Sequence, residues 1–221
     1  MTQINELDHN LTFLINSWHA PFWDNFFFDY SKVWVWFPLY ISYIYIFIRQ
    51  EKKQAWMFIV SMILCFLIAN HVSADIIKPL VARFRPSHDP LLQNSLHIIN
   101  NYRGGNYGFV SSHAANTTGL AILLSLIIRN RLNTIMLICW TLLTSYSRIY
   151  LGVHFLGDTL GGMVLGSIAA LIAYSLLKYL YKRYGQTSGD VMQIPSFSEK
   201  HIYVSVWVYV ATCAVMLIVS V

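Results

Sequence analysis

The sequence predicts an all-α integral membrane protein, a bundle of six spanning helices preceded by an amphipathic segment. Three observations predict it. The 221-residue chain is 56% hydrophobic and only 11% charged, with a mean hydropathy of +0.50, which is too apolar for an ordinary soluble domain. Charge-free apolar runs recur at 33–48, 56–74, about 114–128, 132–147, 159–177 and 202–221, each near the roughly 20 residues that cross a bilayer as a helix. The charged residues gather between these runs. Cys65, Cys139 and Cys213 all fall inside apolar runs and so read as small apolar residues rather than disulfide partners or metal ligands. The net charge of +5 is scattered over short connections, so no nucleic-acid partner is implied.

Residues 1–32 form the first unit and 33–221 the six-span domain. Glu6 and Asp8, with no basic stretch, do not suit a cleavable signal peptide. Ile4, Leu7, Leu11, Leu14, Ile15 and Trp18 recur at helical spacing, followed by Phe22, Trp23 and Phe26 to Phe28. That spacing predicts an amphipathic helix at the bilayer surface, with a packed cap over the bundle as the other placement open. In the first span, the aromatic residues from Trp34 to Tyr45 read as interface anchors and lipid contacts.

The second span ends in Asn70, His71 and Asp75, then Lys78, Arg85 and Pro86. Asn70 and His71 suit hydrogen bonds between helices, and Asp75 an ion pair with Lys78 three residues on. Lys78 and Arg85 can converge on an anion, since a guanidinium fork and a mobile ammonium together suit tetrahedral phosphate. Taken alone, this stretch reads more readily as a basic segment touching lipid headgroups. Leu91, Leu92, Leu96, Ile98 and Ile99 in the long connection have helix-like spacing and are expected to dip toward the membrane and guide a lipid.

The third span begins in Gly104-Gly-Asn-Tyr-Gly-Phe-Val-Ser111-Ser112-His113. Serines ahead of an apolar helix act as N-caps, and the unpaired N–H groups of its first turn attract phosphate. His113 beside them can pass a proton to a departing oxygen, or simply hold the structure by a hydrogen bond. The fourth span ends in Ser147 and Arg148, and His154 lies four residues before Asp158 at the start of the fifth. That spacing lets the carboxylate take one ring N–H and leaves the other nitrogen free to attack; the same pair can also cap a membrane helix. Gly157, Gly161, Gly162 and Gly166 follow, and with no strand before them they read as close helix packing rather than a nucleotide loop.

Connections after spans one, three and five carry nine basic residues, against six on the side that holds these clusters. The positive-inside rule therefore places the clusters and both termini outside the cell membrane.

Taken together, these segments resemble the type 2 phosphatidic acid phosphatase family, whose active-site pattern is shared with vanadium haloperoxidases. Its lysine, six residues, Arg-Pro element is met by Lys78, Arg85 and Pro86. Its Pro-Ser-Gly-His element is met by Ser111 and His113, with Val110 and Ser112 in place of the proline and glycine. Its Ser-Arg, five residues, His, three residues, Asp element is met by Ser147, Arg148, His154 and Asp158. The resemblance implies that His154 attacks phosphorus to give a phosphohistidine, Asp158 holds its ring, and His113 protonates the leaving group. Lys78, Arg85, Arg148, Ser111, Ser112 and nearby amides would hold the phosphoryl oxygens. It implies no metal and no cofactor.

The implied substrate is a lipid phosphate drawn from the bilayer, with undecaprenyl diphosphate the first candidate and lipid A, phosphatidylglycerol phosphate or phosphatidate the alternatives. A non-catalytic lipid-phosphate binding or transport protein is the competing class. It would have no need of a histidine-aspartate pair and a second histidine.

Overall fold

The computed structural model describes residues 3–185 and 196–221; within them, the side chain of Ile4 lies outside the described set. Among the described residues the chain is helical, with no strand beyond an isolated antiparallel bridge, Phe84 to Tyr107. Two helices, α1 (Gln3–Ser17) and α2 (Pro21–Tyr30), precede the bundle. Then come α3 (Phe37–Glu51), α4 (Ala55–His71), α5 (Lys78–Val81), α6 (Ser112–Ile128), α7 (Arg131–Tyr150), α8 (Leu156–Tyr184) and α9 (Glu199–Val219). Each apolar run of the sequence overlaps one of α3, α4, α6, α7, α8 and α9.

Helix ends follow local chemistry. Pro38 sits in the first turn of α3, where its missing N–H is no loss. Ser111 and Asn130 cap α6 and α7 with side-chain oxygens that accept from Ala114 and Asn133. Left-handed residues stop the chain at Lys52, Ala82 and Arg129. A wide turn over Val72–Ile77 joins α4 to α5.

Val33–Val81, Leu156–Tyr184 and Glu199–Val219 are long and apolar enough to cross a membrane, and α6 is a shorter apolar helix. The protein is a multi-pass membrane protein. In contrast, α7 buries Asn133, Thr141, Thr144, Ser145 and Arg148, so its polar side is turned into the bundle. Tyr43 donates to the Asn133 side-chain oxygen at 2.7 Å and Ser205 donates to the same oxygen at 3.2 Å, which ties α3, α7 and α9 together inside the apolar layer. Trp36 and Tyr43 are core residues, whereas Trp34, Phe37, Ile41 and Tyr45 face outward as expected of lipid contacts.

Two of the predicted glycines set the spacing of α6 and α8. A Cβ on Gly162 would lie 2.5 Å from the Ser111 carbonyl, and one on Gly166 2.3 Å from the Ala115 carbonyl. These helices touch backbone to backbone. In the long loop, Leu96 and Ile99 are buried and Leu91 alone of the five apolar residues is freely exposed. Most of that set packs inward because the loop is folded on turns rather than a helix, with Leu96 and Ile98 lying against Gly152.

α1 packs on α7 and α8 with its polar side inward: Thr12 and Asn16 are buried, while Leu7, Leu14 and Trp18 are exposed. Asn16 donates to the carbonyls of Tyr150 and His97 and accepts from the His97 N–H.

Replacing Gly166 by leucine forces α6 and α8 apart, and overpacking of this kind costs about 1–3 kcal/mol or more. The thermal midpoint of the purified protein in detergent should fall clearly, and a Gly166→Leu midpoint equal to wild type would contradict the close contact.

Candidate active site

The side chains singled out in the sequence come together at the end of the bundle that carries α1 and the long loop. Lys78, at the start of α5, donates to the Ser112 hydroxyl at 2.5 Å, and Ser73 donates to the same oxygen at 2.8 Å. Ser112, the departure from glycine, therefore anchors the lysine. The Ser111 N–H donates to the Asp158 carbonyl at 2.9 Å, so its amide is spent on joining α6 to α8 while its hydroxyl caps α6. His113 follows on the first turn of α6 and lines a cavity together with Ser31.

His154 and Arg148 are held by one another's backbone: the Arg148 carbonyl accepts from the N–H groups of Val153 and His154. Arg148 is 2% exposed, and its guanidinium donates to the Tyr102 hydroxyl at 2.9 Å. Arg85 Nη1 donates to the Val153 carbonyl at 2.9 Å and lies 2.8 Å from His154 Nε2. A guanidinium only donates, so Nε2 carries a lone pair and the ring proton sits on Nδ1, facing Asp158 Oδ2 at 3.3 Å. The tautomer is the one expected of an activated nucleophile.

Both arginines carry a buried Nε with no hydrogen-bond partner. Burial and the nearby Arg148 push Arg85 down to about 10, which still leaves it cationic at neutral pH. The site thus holds three cations around an uncharged imidazole, and buried donors without a partner suit an anion.

The glycine-rich loop works by close approach. Gly104 has a φ of +66°, and a Cβ there would lie 3.1 Å from the Arg85 guanidinium carbon; one on Gly108 would lie 2.6 Å from Asp158 Oδ2. Hydrogen bonds from Arg85 N–H to the Asn106 carbonyl and from Gly108 N–H to the Arg83 carbonyl fasten the two arms of the loop.

Three further residues belong to this assembly and were not singled out from the sequence. Arg83 bridges Asp158 and Asp8, at 3.0 and 2.7 Å, and Tyr102 holds Arg148. Asp8, Thr12 and Asn16, four residues apart, share one face of α1, the signal in the sequence that this face meets polar partners. Two expectations change. Asp75 pairs with His71 at 2.6 Å rather than with Lys78, because the wide turn between α4 and α5 rotates the lysine away from that face. Asn70 does bond between helices, accepting from Asn116 at 3.3 Å, while His71 stays on its own helix.

Among the described residues, one group of metal-capable side chains occurs, His19, Asp24 and His97. Its imidazoles stack in near-parallel planes at 3.9 Å, so one ion cannot lie in both ring planes. Asp24 is occupied by His97 Nε2 and the Tyr150 hydroxyl. Hydrogen bonding accounts for the group.

Comparison with known proteins bears on this geometry. The model of the PAP2 superfamily matches residues 54–182. Lipid A 4'-phosphatases of Bacteroides thetaiotaomicron and Porphyromonas gingivalis are 34% and 36% identical, over 81% and 83% of this chain and 81% and 77% of theirs. An undecaprenyl-diphosphatase of Sulfolobus acidocaldarius is 27% identical over 66% of each chain. Among solved structures, the Bacillus subtilis PAP2 type phosphatidylglycerolphosphate phosphatase superposes with a TM-score of 0.61 at 19% identity, covering 84% of this chain and 90% of that one. Aquifex aeolicus LpxE does so with a TM-score of 0.57 at 26% identity, covering 75% and 93%.

Burial first, then Arg85, Arg148 and Lys78, hold His154 well below the ordinary histidine value, which is about 6.5. The unfolded chain takes this proton near pH 6.5 and the folded chain refuses it, so this group makes stability fall as pH drops below 6.5. Nitrogen-15 NMR of histidine-labelled protein in detergent should show His154 neutral at pH 6; a midpoint at or above 6.5 would contradict the geometry.

Proposed function

Since the chain belongs to the PAP2 superfamily of membrane phosphatases, we propose that it removes a phosphate monoester from a lipid A-type glycolipid through a phosphohistidine on His154. The observation that carries the mechanism is the placement of His154: Nδ1 faces Asp158, and Nε2 faces the space bounded by Arg85, Arg148 and Lys78. Phosphoryl transfer asks a protein for positioning and for positive charge where oxygen charge gathers, and this arrangement provides both.

In this reading an arriving phosphate takes the N–H donors of Arg85, Arg148 and Lys78 and draws the Arg85 guanidinium off the Nε2 lone pair. Nε2 attacks phosphorus, and the bond to the leaving oxygen breaks with its electron pair. His113 gives that oxygen its proton, and Asp158 stabilises the ring that has gained a bond. His113 then removes a proton from water, whose oxygen attacks phosphorus and frees phosphate, returning His154 to its starting state.

The choice of lipid rests on the relatives and on a cavity of about 120 Å³ beside His113, whose lining includes Ser31, Asn70, Asn116, Tyr40 and Phe66. Its Asn116 Oδ1 is a buried acceptor without a partner. A leaving group on the His113 side enters this space, and its amides and aromatic faces suit a hydroxyl-bearing sugar better than an isoprenoid chain. The two lipid A relatives match over longer stretches and at higher identity than the undecaprenyl-diphosphatase. Lipid A therefore replaces undecaprenyl diphosphate as the leading candidate. The excess of basic residues on the opposite loops supports a site facing outward across the cell membrane; a cysteine placed at Glu6 should react with an impermeant maleimide in intact cells, and protection until lysis would reverse the orientation.

Purified protein in detergent with EDTA should release phosphate fastest from lipid A when offered beside undecaprenyl diphosphate, phosphatidate and phosphatidylglycerol phosphate. His154→Ala should lose at least about 10³-fold in kcat. His113→Asn should lose about 10²- to 10⁴-fold in the rate of the first step on a sugar phosphate but far less in the initial burst of p-nitrophenol from p-nitrophenyl phosphate, whose leaving group needs no proton and departs before the water step. Equal losses on both substrates would remove His113 from the acid role, and absence of release by folded protein would favour a binding or transport protein.

A further inference from the structure

We propose that Asp8 and Arg83 are positioning residues of the phosphatase, through which the N-terminal helix holds the Asp158 carboxylate against His154. The proposal rests on the reading of His154 as nucleophile. Neither residue touches the space where phosphate would bind, and both act through Asp158.

The contacts form one continuous path. Asp158 has no exposed surface. Its Oδ1 accepts from Arg83 Nη1 at 3.0 Å, and its Oδ2 accepts from the Phe155 N–H at 3.1 Å and faces His154 Nδ1 at 3.3 Å. With Arg83 on one oxygen, the carboxylate cannot rotate without breaking an ion pair, so the other oxygen stays turned to the imidazole. Arg83 is fixed in turn: its Nη2 donates to Asp8 Oδ2 at 2.7 Å, and its guanidinium lies 4.1 Å over the Phe155 ring. Asp8 is fixed by the Gly157 N–H, which donates to its other oxygen at 2.9 Å. His9, the next residue of α1, stacks on Phe155 with centroids 4.8 Å apart.

Gly157 shows how closely the helix is fitted. A Cβ there would lie 2.9 Å from Asp8 Oδ2, so the residue beside Asp158 has been kept small where α1 reaches in.

Charge explains why two residues are needed. Lys78, Arg85, Arg148 and His113 already face His154, and Arg83, Asp8 and Arg85 face Asp158; His9 lies 3.7 Å from Asp89 at the edge. A guanidinium paired with Asp158 alone would neutralise the carboxylate that must polarise the imidazole. Asp8 takes half of that guanidinium's hydrogen bonding and its charge, so Arg83 orients Asp158 without silencing it. Positioning partners of ligating or catalytic histidines act in this way elsewhere.

The two residues therefore have opposite electrostatic effects on His154. Removing Arg83 removes a cation and makes the protonated ring easier to form; removing Asp8 removes an anion and makes it harder.

The test measures kcat, KM and the pH profile of phosphate release from lipid A for Asp8→Asn, Arg83→Gln and the double variant, with Glu6→Gln on the exposed side of α1 as control. Arg83→Gln should lower kcat about 10-fold and Asp8→Asn about 3-fold, with KM unchanged, because neither group touches the phosphoryl oxygens. The acid limb of the profile should move to higher pH in Arg83→Gln and to lower pH in Asp8→Asn. The double variant should be no slower than Arg83→Gln, since Asp8 acts through Arg83.

Limbs that move in the same direction, losses that multiply in the double variant, or an Asp8→Asn protein with unaltered kcat and profile would each overturn the proposal. If Arg83→Gln fails to fold, the acid limb of Asp8→Asn decides the matter alone. Wild-type protein that releases no phosphate, or a His154→Ala protein that keeps its activity, overturns the phosphatase reading itself and with it the proposal; failure of the proposal alone leaves wild type active and His154→Ala inactive.

Discussion

A carboxylate sealed from solvent at the end of a membrane bundle is the constraint around which this structure is arranged. Burying Asp158 without partners would be prohibitive, and its partners join two parts of the chain: Arg83 from the long loop, and His154 with the Phe155 N–H from the turn that leads into its own helix. Gly108 must lack a side chain to let the loop pass the same oxygen. The closure of the loop, the docking of α1 and the orientation of the imidazole are therefore one packing solution.

Charge balance gives the site its chemistry. Lys78, Arg85 and Arg148 surround an imidazole that burial and their own charge keep neutral, while their hydrogen bonds go to hydroxyls, carbonyls and a ring nitrogen rather than to carboxylates. Three cations with neutral acceptors and two buried orphan donors leave a place for a polyanion that brings its own charge. Under the proposed function a phosphate monoester would satisfy that demand, and the same field would stabilise charge gathering on its oxygens in the transfer. Asp158 is kept out of direct competition for those cations by its pairing with Arg83.

The bundle supplies rigidity where the chemistry needs it. Backbone contact between α6 and α8 through Gly162 and Gly166 joins the helix that carries Ser112 and His113 to the one that carries Asp158. Backbone contact leaves no side chain to give way at these two points, so the ends of the two helices keep their separation. The buried Thr12 and Asn16 and the paired Asp8 turn polar groups of α1 toward the site, while Leu7 and Leu14 face outward among exposed polar residues, so the helix roofs the site with its hydrogen-bonding face.

The sequence by itself determined the helical membrane class, the approximate positions of the apolar helices and the family pattern carried by Lys78, Arg85, Ser111, His113, Arg148, His154 and Asp158, because span length, charge exclusion and spacing along one chain are local properties. It also showed the glycines of the fifth span as packing residues. Tertiary structure alone decided the partners. Arg83 looked like one more loop cation and Asp8 like an argument against a signal peptide, since an ion pair between residues 75 positions apart leaves no trace in periodicity. The same holds for Asp75, which the wide turn after α4 redirects to His71, and for Leu96 and Ile99, which loop folding draws into the core. Side-chain chemistry and helix period are written along the chain, whereas the pairing of charges and the inner face of a loop depend on which segments the fold brings into contact.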